Sequence, residues 1–175
     1  MKAVLTLFYM FISWRITQQL AYHKCVTNVL RYIFYSVTRI ARADAPADFS
    51  TMKVGSFRDV YQFCAFCDDK ADFFGRYGTT ETFHFAALAV NAKFRRRGLG
   101  AVVFKAAIDL VRCLGLPVAY IKGEASSNYS RKIYEKFGFE NLLTQSYDDY
   151  TVDGEIVIQG SDEHNSMTIF GIKVV

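Results

Sequence analysis

A short basic loop with two glycines, Arg95-Arg96-Arg97-Gly98-Leu99-Gly100, joins a predicted strand to a predicted helix in this chain of 175 residues. The apolar stretch Thr82–Val90 before the loop is typical of a strand. The stretch Leu99–Leu114 has helical spacing, and Gly115 and Pro117 mark its end. The first amides of a helix lack intrahelical partners and carry partial positive charge, to which the arginines add formal charge. The loop therefore predicts an anion site, where glycine lets the backbone come close to its ligand.

The elements that follow predict a mixed α/β domain. Val118–Ile121 is typical of a second strand, which is parallel to the first if the helix between them is a right-handed crossover. Ser126 or Ser127 can cap a helix over Tyr129–Phe137, and Gly138 closes that helix. Terminal strands are predicted around the apolar positions Phe139, Tyr147, Tyr150, Val152, Ile156–Ile158 and Met167–Val174.

Two stretches carry a resemblance to a known family. "LAVNAKFRRRGLG" and, after it, "GEASSNYSRKIYEKFGF" resemble the acetyl-CoA-binding core of the GNAT superfamily of N-acetyltransferases. The pattern Arg95-x-x-Gly98-x-Gly100 matches that family's diphosphate loop, (Q/R)-x-x-G-x-(G/A). The second stretch is most similar to the arylalkylamine N-acetyltransferase branch of arthropods and nematodes, in which a histidine, here His164, precedes the last strand. The resemblance covers about residues 71–175.

This resemblance implies a fold and an activity. The fold would be α/β (α+β), with helices flanking a mixed, largely antiparallel twisted sheet that has a central parallel strand pair. Residues 51–175 would form the acetyl-CoA-binding domain, with a motif core at 82–140, behind an atypical helical or apolar segment at residues 1–50. The implied enzyme is cytoplasmic and moves the acetyl group of acetyl-CoA to a primary amine, an arylalkylamine or a similar small amine. The amine would attack the thioester directly in a ternary complex.

The resemblance also implies how the cosubstrate is held. Backbone groups of Leu88–Val90 would pair with the pantetheine arm as an added strand does, and the amides of Arg96–Gly100 would bind the diphosphate. A backbone N–H near Ala89 or Val90 would stabilise the oxyanion. The residues assigned to acetyl-CoA are Leu88, Ala89, Val90, Arg95, Arg96, Arg97, Gly98, Leu99 and Gly100.

Three candidate catalytic residues come from the second stretch. Tyr134, just before the "EKFGF" pattern, would protonate the departing thiolate, or it is a core aromatic of an amphipathic helix. Ser126 and Ser130 fit the family's serine positions, although Ser126 can instead be a helix cap.

The sequence leaves the general base open. A primary ammonium has a pKa near that of lysine, about 10.4, so it must lose a proton before it attacks. The resembled branch uses a Glu near the start of the fold, but no Glu precedes Glu81 here. Glu81, Glu124 or, through water, His84 could take that role; each could equally be structural. A non-catalytic acyl-CoA-binding domain is therefore the alternative to an enzyme.

The cysteine spacing and the distribution of charge argue against a metal site and a nucleic-acid partner. Cys64-Ala65-Phe66-Cys67 lacks the second pair or the histidines that a zinc site needs, so no metal is predicted. The whole net charge of +4 lies in residues 1–50, and the neutral remainder argues against a nucleic-acid-binding protein. Asn128-Tyr129-Ser130 is a glycosylation sequon beside the expected cleft, where a glycan would block access, and this favours the cytoplasm.

The first fifty residues lie outside the resemblance. Ala3–Trp14 is an apolar run of about half the ~20 residues that a spanning helix needs, so it is a signal-peptide core, a buried element or an unreliable chain start. Apolar positions from Val26 to Ile40 recur at three- and four-residue steps, which predicts an amphipathic helix ending near Arg42. That helix packs on the core or lies on a membrane surface; no stable membrane association is expected, although the apolar start leaves it open. Asp59–Phe74 predicts a helix or loop.

Overall fold

The computed structural model of the chain describes residues 34–45, 55–158 and 163–174. Within these ranges, strands and helices follow one another in an order that is typical of a mixed α/β protein. In chain order they are β1 (Phe34–Arg42), α1 (Ser56–Ala71), α2 (Phe73–Tyr77), β2 (Glu81–Val90), α3 (Leu99–Arg112), β3 (Tyr120–Ala125), α4 (Asn128–Lys136), β4 (Glu140–Ser146), β5 (Thr151–Val152), β6 (Glu155–Ile156) and β7 (Ser166–Lys173). A short 3₁₀ turn, Ala92–Phe94, lies between β2 and α3.

Five strands form one mixed sheet in the order β1-β2-β3-β7-β4. The central pair β2–β3 is parallel, whereas the pairs β1–β2, β3–β7 and β4–β7 are antiparallel. The two remaining strands, β5 and β6, form a separate hairpin. This arrangement confirms the predicted α/β fold with a central parallel pair in a largely antiparallel sheet.

Side chains alternate between the two faces of the sheet, and each face has its own core. Phe85 of β2 is buried against Phe104 of α3 on one face. The neighbouring His84 and Lys122 are buried on the other face, where Lys122 contacts Asp68 of α1. The first core contains Phe83, Phe85, Phe104, Ile108, Val111, Ala119, Ile121, Ala125, Tyr134, Phe139 and Phe170. The second core contains Phe63, Cys67, Ala71, Phe73, Leu142, Tyr147, Met167 and Ile169.

The elements around the glycine loop agree with the sequence prediction. β2 ends at Val90 and α3 begins at Leu99, but α3 ends at Arg112, two residues before the predicted end. The second strand begins at Tyr120 and runs to Ala125, later than predicted, because Val118 lies exposed before the sheet. The helical alternative for the stretch before β2 is confirmed by α1.

The predicted helix ending near Arg42 is wrong over residues 34–42, where the chain forms β1. β1 pairs with β2 from Phe34 opposite Val90 to Arg42 opposite Glu81. The pairing with β2 is a tertiary contact, and such contacts outweigh the local helical spacing of this stretch. Neither a surface helix nor a core helix therefore exists over this stretch.

The earlier part of that predicted helix, and the apolar run Ala3–Trp14, lie outside the described residues. Among the helices that are described, none has the length and apolar character needed to cross a bilayer.

Candidate active site between β2 and β3

The central parallel strands separate along their length. They pair over three positions, from Phe83 opposite Ile121 to Phe85 opposite Gly123. Beyond Phe85, β2 continues along β1 to Val90, whereas β3 continues along β7 to Ala125. The two strands therefore diverge, and within the described residues no strand fills the opening between them. Leu88, Ala89 and Val90 line its β2 side, and their assignment to pantetheine stays a prediction.

The glycine loop lies at the far end of this opening. Gly98 caps α3 with a φ of 77°, a left-handed conformation that side chains rarely adopt. Because glycine offers no side-chain cap, the first amides of α3 remain open to an external acceptor. A Cβ on Gly100 would lie 3.1 Å from Ile133 Cδ1, so this glycine lets α3 pack closely on α4.

The three arginines of the loop are exposed, and each has a different contact. Arg95 Nε donates to the Val90 carbonyl at 2.9 Å, which ties the loop to the end of β2. The Arg97 guanidinium lies 5.7 Å from the centre of the Phe94 ring. Arg96 instead reaches α4 and donates to Tyr129 Oη at 3.1 Å. The structure thus brings all nine residues assigned to acetyl-CoA to one side and one end of the opening.

A polar cluster lies where the strands separate, with His84 and Glu124 largely buried and Arg39 exposed. Arg39 of β1 donates from Nε to His84 Nδ1 at 3.0 Å. His84 Nε2 lies 2.6 Å and 2.8 Å from the two carboxylate oxygens of Glu124. The side chains of His84 and Glu124 are only 4% and 14% exposed. Two of the sequence candidates for the base are therefore in direct contact, one on each diverging strand.

The contact from Arg39 fixes the protonation pattern of His84. A guanidinium only donates hydrogen bonds, so His84 Nδ1 must accept, and neutral His84 carries its proton on Nε2. That proton is donated to Glu124, so His84 has no free lone pair with which to act as a base. A carboxylate has more lone pairs than this contact uses, so Glu124 is the member of the pair that can still accept a hydrogen bond.

The charge of Glu124 is set by its surroundings. Burial by itself would raise the pKa of the Glu124 carboxyl. The interaction with His84, followed by the charges of Lys122 and Arg39, outweighs burial and holds this pKa below its ordinary value. Glu124 is therefore ionised at neutral pH and presents a negative charge beside the opening.

A second ion pair lies next to this cluster, between Lys122 Nζ and Asp68 Oδ2 at 2.5 Å. Burial raises the pKa of Asp68 despite the opposing charge of Lys122. Cys64, one turn before Asp68 on α1, has its pKa raised by burial to about 12, so its thiol is protonated at neutral pH. Sequence reasoning did not single out Arg39, Asp68 or Lys122.

Tyr134 lies on the opposite face of the sheet from Glu124. It is 4% exposed, its ring stacks on Phe170, and its hydroxyl lies against Gly123, the last β3 residue paired with β2. Burial, reinforced by the charge of Glu124, raises its pKa, so the phenol keeps its proton. Tyr134 is thus a core aromatic whose hydroxyl reaches the point of strand separation, and its catalytic role stays a prediction.

The serine candidates form the start of α4. Ser127 is the cap: its Oγ accepts from Ser130 N at 3.1 Å, and Ser130 Oγ accepts from Ser127 N at 3.2 Å. This reciprocal pair is a capping box, so the Ser130 hydroxyl has a structural role. Ser126 is exposed, and its carbonyl accepts from Tyr147 Oη at 3.1 Å. Their catalytic roles remain predictions.

Glu81 is not brought to the opening. It begins β2, at the end opposite Val90, and pairs with Arg42 at 2.7 Å on the surface. The structure therefore gives Glu81 the exposed position that the sequence left as its alternative. Among the described residues, no group of three histidine, cysteine or acidic side chains is arranged to hold a metal ion.

Comparison with known proteins identifies the family of the chain. Residues 49–152, more than half of the chain, match the family model described as "Acetyltransferase (GNAT) domain". A mosquito arylalkylamine N-acetyltransferase like 5b matches with a TM-score of 0.71 and 25% identity, over 81% of this chain and 68% of that one.

Two further solved structures have the same fold. Arylalkylamine N-acetyltransferase 2 from Aedes aegypti matches with a TM-score of 0.71 and 18% identity, over 80% of this chain and 67% of that one. The Drosophila melanogaster polyamine N-acetyltransferase matches with a TM-score of 0.69 and 20% identity, over 80% of this chain and 68% of that one. The resemblance to the GNAT superfamily read from the motifs is thus confirmed: the chain belongs to the GNAT superfamily of N-acetyltransferases, and its fold is similar to those of arylalkylamine N-acetyltransferases.

Proposed function

We propose that this chain transfers the acetyl group of acetyl-CoA to the primary amine of a small acceptor, an arylalkylamine or a similar amine. The amine attacks directly, with both substrates bound. One observation carries the proposal: the opening between β2 and β3 has a helix N-terminus at one end and the ionised Glu124 where the strands meet. The helix N-terminus suits a diphosphate, and the carboxylate of Glu124 suits an ammonium. The non-catalytic alternative was supported by the absence of an early Glu to act as the base. Glu124 is a candidate for that role.

The residues present fit acetyl-CoA. The diverging strands leave room for an extended arm beside Leu88–Val90, and the uncapped amides from Leu99 onward suit the diphosphate. By contrast, the start of α4 is already satisfied, because Ser127 Oγ and His164 Nδ1 accept from its first amides. When bound, the cosubstrate supplies an activated thioester carbonyl. An N–H of Ala89 or Val90 would stabilise negative charge on the carbonyl oxygen.

Glu124 would bind the acceptor and receive its proton. An ionised carboxylate attracts an ammonium, and its partial exposure lets the proton leave through water. His84 would hold the carboxylate in place, and Arg39 would hold the imidazole in the matching tautomer. These two residues act through Glu124 and are therefore positioning residues.

Tyr134 would protonate the departing thiolate. Its hydroxyl lies at the point of strand separation and remains protonated, which is the state a proton donor needs. A cytoplasmic location belongs to the same proposal. Asn128, the sequon residue, begins α4 beside the opening, and its side chain donates to the Glu163 carbonyl at 2.5 Å. A glycan on Asn128 would block access to the opening, which supports a location where the sequon is not glycosylated.

Turnover by matched variants tests the proposal. The wild-type chain should acetylate members of a panel of arylalkylamines, polyamines and peptides, and Gly98→Asp should abolish CoA binding. Glu124→Gln keeps an acceptor for His84 but loses the charge, so kcat/KM should fall about 10²- to 10⁴-fold. CoA affinity, measured by calorimetry, should stay unchanged in Glu124→Gln.

Glu135→Gln, on the exposed side of α4, removes the same charge and serves as the control. CoA binding without turnover on any amine would favour the non-catalytic alternative. Turnover by Glu124→Gln at the wild-type rate would remove Glu124 from the mechanism.

A further inference from the structure

A chain of contacts links the cofactor loop to two other segments. Arg96 Nη2 donates to Tyr129 Oη at 3.1 Å, and Tyr129 Oη donates to Glu163 Oε1 at 2.6 Å. The Arg96 guanidinium also lies 5.7 Å from the centre of the Tyr129 ring. The loop before α3, the first turn of α4 and the residues before β7 are thereby joined through three side chains.

The Glu163 end of this chain of contacts is itself fixed to α4. The Glu163 carbonyl accepts from Asn128 Nδ2 at 2.5 Å, and His164 Nδ1 accepts from Asn128 N at 3.4 Å. The His164 ring also meets the Tyr129 ring edge-on, with 5.4 Å between their centres. Glu163 therefore meets Tyr129 from a segment that is bonded to the same helix.

The direction of the hydrogen bonds determines what Tyr129 can offer. Its hydroxyl has one proton, which goes to the Glu163 carboxylate, so its lone pairs are left to accept from Arg96. The phenol rather than the carboxylate thus contacts the guanidinium, and among the described residues no hydrogen bond engages its other N–H groups. Arg96 has a φ of 60°, a left-handed conformation that costs energy for a residue with a side chain and needs support from its surroundings.

We propose that Tyr129 and Glu163 are positioning residues that hold Arg96 toward the diphosphate of the cosubstrate. The inference rests on the proposed function, which places that diphosphate at the N-terminus of α3. Arg95 and Arg97 contact residues of their own strand and loop, whereas Arg96 is held from α4. Holding Arg96 before binding lowers the conformational entropy lost when it grips phosphate oxygens.

Substrates with and without the diphosphate test this role. Tyr129→Phe keeps the ring under the guanidinium but removes the hydroxyl, and Glu163→Ala removes the carboxylate. Each should raise the Kd for CoA and the KM for acetyl-CoA about two- to tenfold, the range for one hydrogen bond, with kcat unchanged. Glu163→Gln retains an acceptor oxygen and should restore most of the affinity. Turnover of S-acetylpantetheine, which lacks the diphosphate, should be the same in all of these variants.

Two controls separate positioning from general damage. Glu135→Ala, also on α4, makes the same change in net charge and should leave the Kd for CoA at the wild-type value. In an Arg96→Ala background, Tyr129→Phe should cause no further loss. Wild-type affinity in Tyr129→Phe and Glu163→Ala, or an equal loss with S-acetylpantetheine, would overturn the positioning role alone. Failure of the wild-type chain to bind CoA would overturn the proposed function and this role together.

Discussion

The chemistry of Glu124 depends on which hydrogen bonds reach His84. Arg39 can only donate, so it makes His84 Nδ1 an acceptor and leaves the Nε2 proton for Glu124. The imidazole is then a donor in a fixed orientation, and the carboxylate is the only member of the three that can accept from an ammonium. This division of roles is why we assign proton transfer to Glu124 and positioning to His84.

The lowered pKa of Glu124 predicts a pH dependence of stability. A carboxyl whose pKa is lower in the folded state contributes stability above its unfolded pKa, about 4.3, and loses it as pH falls through the folded value. The free energy of unfolding of the wild-type chain should therefore exceed that of Glu124→Gln most near neutral pH. The difference should shrink below about pH 4, as measured by urea unfolding at a series of pH values.

Asp68 has a raised pKa, to which the charge of Glu124 contributes, so the titration of Asp68 also changes in Glu124→Gln and forms part of the difference between the two chains. A difference between the two chains that stayed constant from pH 7 to pH 3 would contradict the assigned shift. Glu135→Gln, exposed on α4, should match the wild-type curve throughout.

The sequence predicted some residues of the site and missed others for one physical reason. Glu124 and Tyr134 lie inside a motif, so their positions follow from local spacing. Arg39 reaches His84 only because the register of β1 on β2 sets these two residues opposite each other. That register depends on a contact between residues 45 positions apart, which local patterns do not encode.

At the level of elements, the predicted starts of helices were confirmed where the sequence has a clear helix cap. Gly98 and the capping box of Ser127 and Ser130 mark the starts of α3 and α4, and both helices begin within a residue of their predicted positions. β1 was predicted as a helix because its apolar residues also fit a helical period. Only pairing with β2, a tertiary contact, decides between the two patterns.

The contact between β3 and α4 gives a prediction at this scale. A Cβ added to Gly123 would overlap Tyr134 Oη and lie 2.8 Å from Tyr134 Cζ. Gly123→Ala should therefore lower the free energy of unfolding by about 1–3 kcal/mol, the range for overpacking a core. In a Tyr134→Phe background the cost should be smaller, because the hydroxyl is gone, but not zero, because Cζ remains.

Urea unfolding of the two single variants and the double variant gives the coupling between these positions. Equal costs of Gly123→Ala in both backgrounds would show that the Tyr134 hydroxyl does not lie against β3. Such a result would also remove the geometric support for Tyr134 as the donor to the thiolate.

At the scale of the whole molecule, the sheet separates two kinds of environment. The face packed by α3 and α4 holds an apolar core with Tyr134 and leads to the glycine loop. The face packed by α1 holds the charged groups, among them Glu124 and the Lys122–Asp68 pair. The opening between β2 and β3 lies where these two environments meet, and in the proposed function the thioester and the amine approach each other there from opposite faces.

The balance of charge on the α1 face predicts the kind of amine. Within the described part of the chain, the two carboxylates of the cluster at the strand separation, Glu124 and Asp68, are matched by the cations Arg39 and Lys122. An arylalkylamine needs one carboxylate for its ammonium. Agmatine carries a second cationic group, but the Asp68 carboxylate that could bind it is already paired with Lys122. At saturating acetyl-CoA, kcat/KM for tyramine should exceed that for agmatine by about tenfold or more, or about 1.4 kcal/mol.

Lys122→Met should lower the ratio of kcat/KM for tyramine to kcat/KM for agmatine. The variant removes the cation that pairs with Asp68, so this carboxylate can pair with the second cationic group of agmatine, and the methionine fills the space of the lysine stem. Lys132→Met, on the exposed side of α4, removes the same charge and should leave the ratio of the two kcat/KM values unchanged. If the wild-type chain turned over agmatine as well as tyramine, a carboxylate other than Glu124 and Asp68 would have to serve the second cation. The argument from charge balance would then be wrong, although the assignment of Glu124 to the reacting amine would stand, because it depends on the position of that residue where β2 and β3 separate.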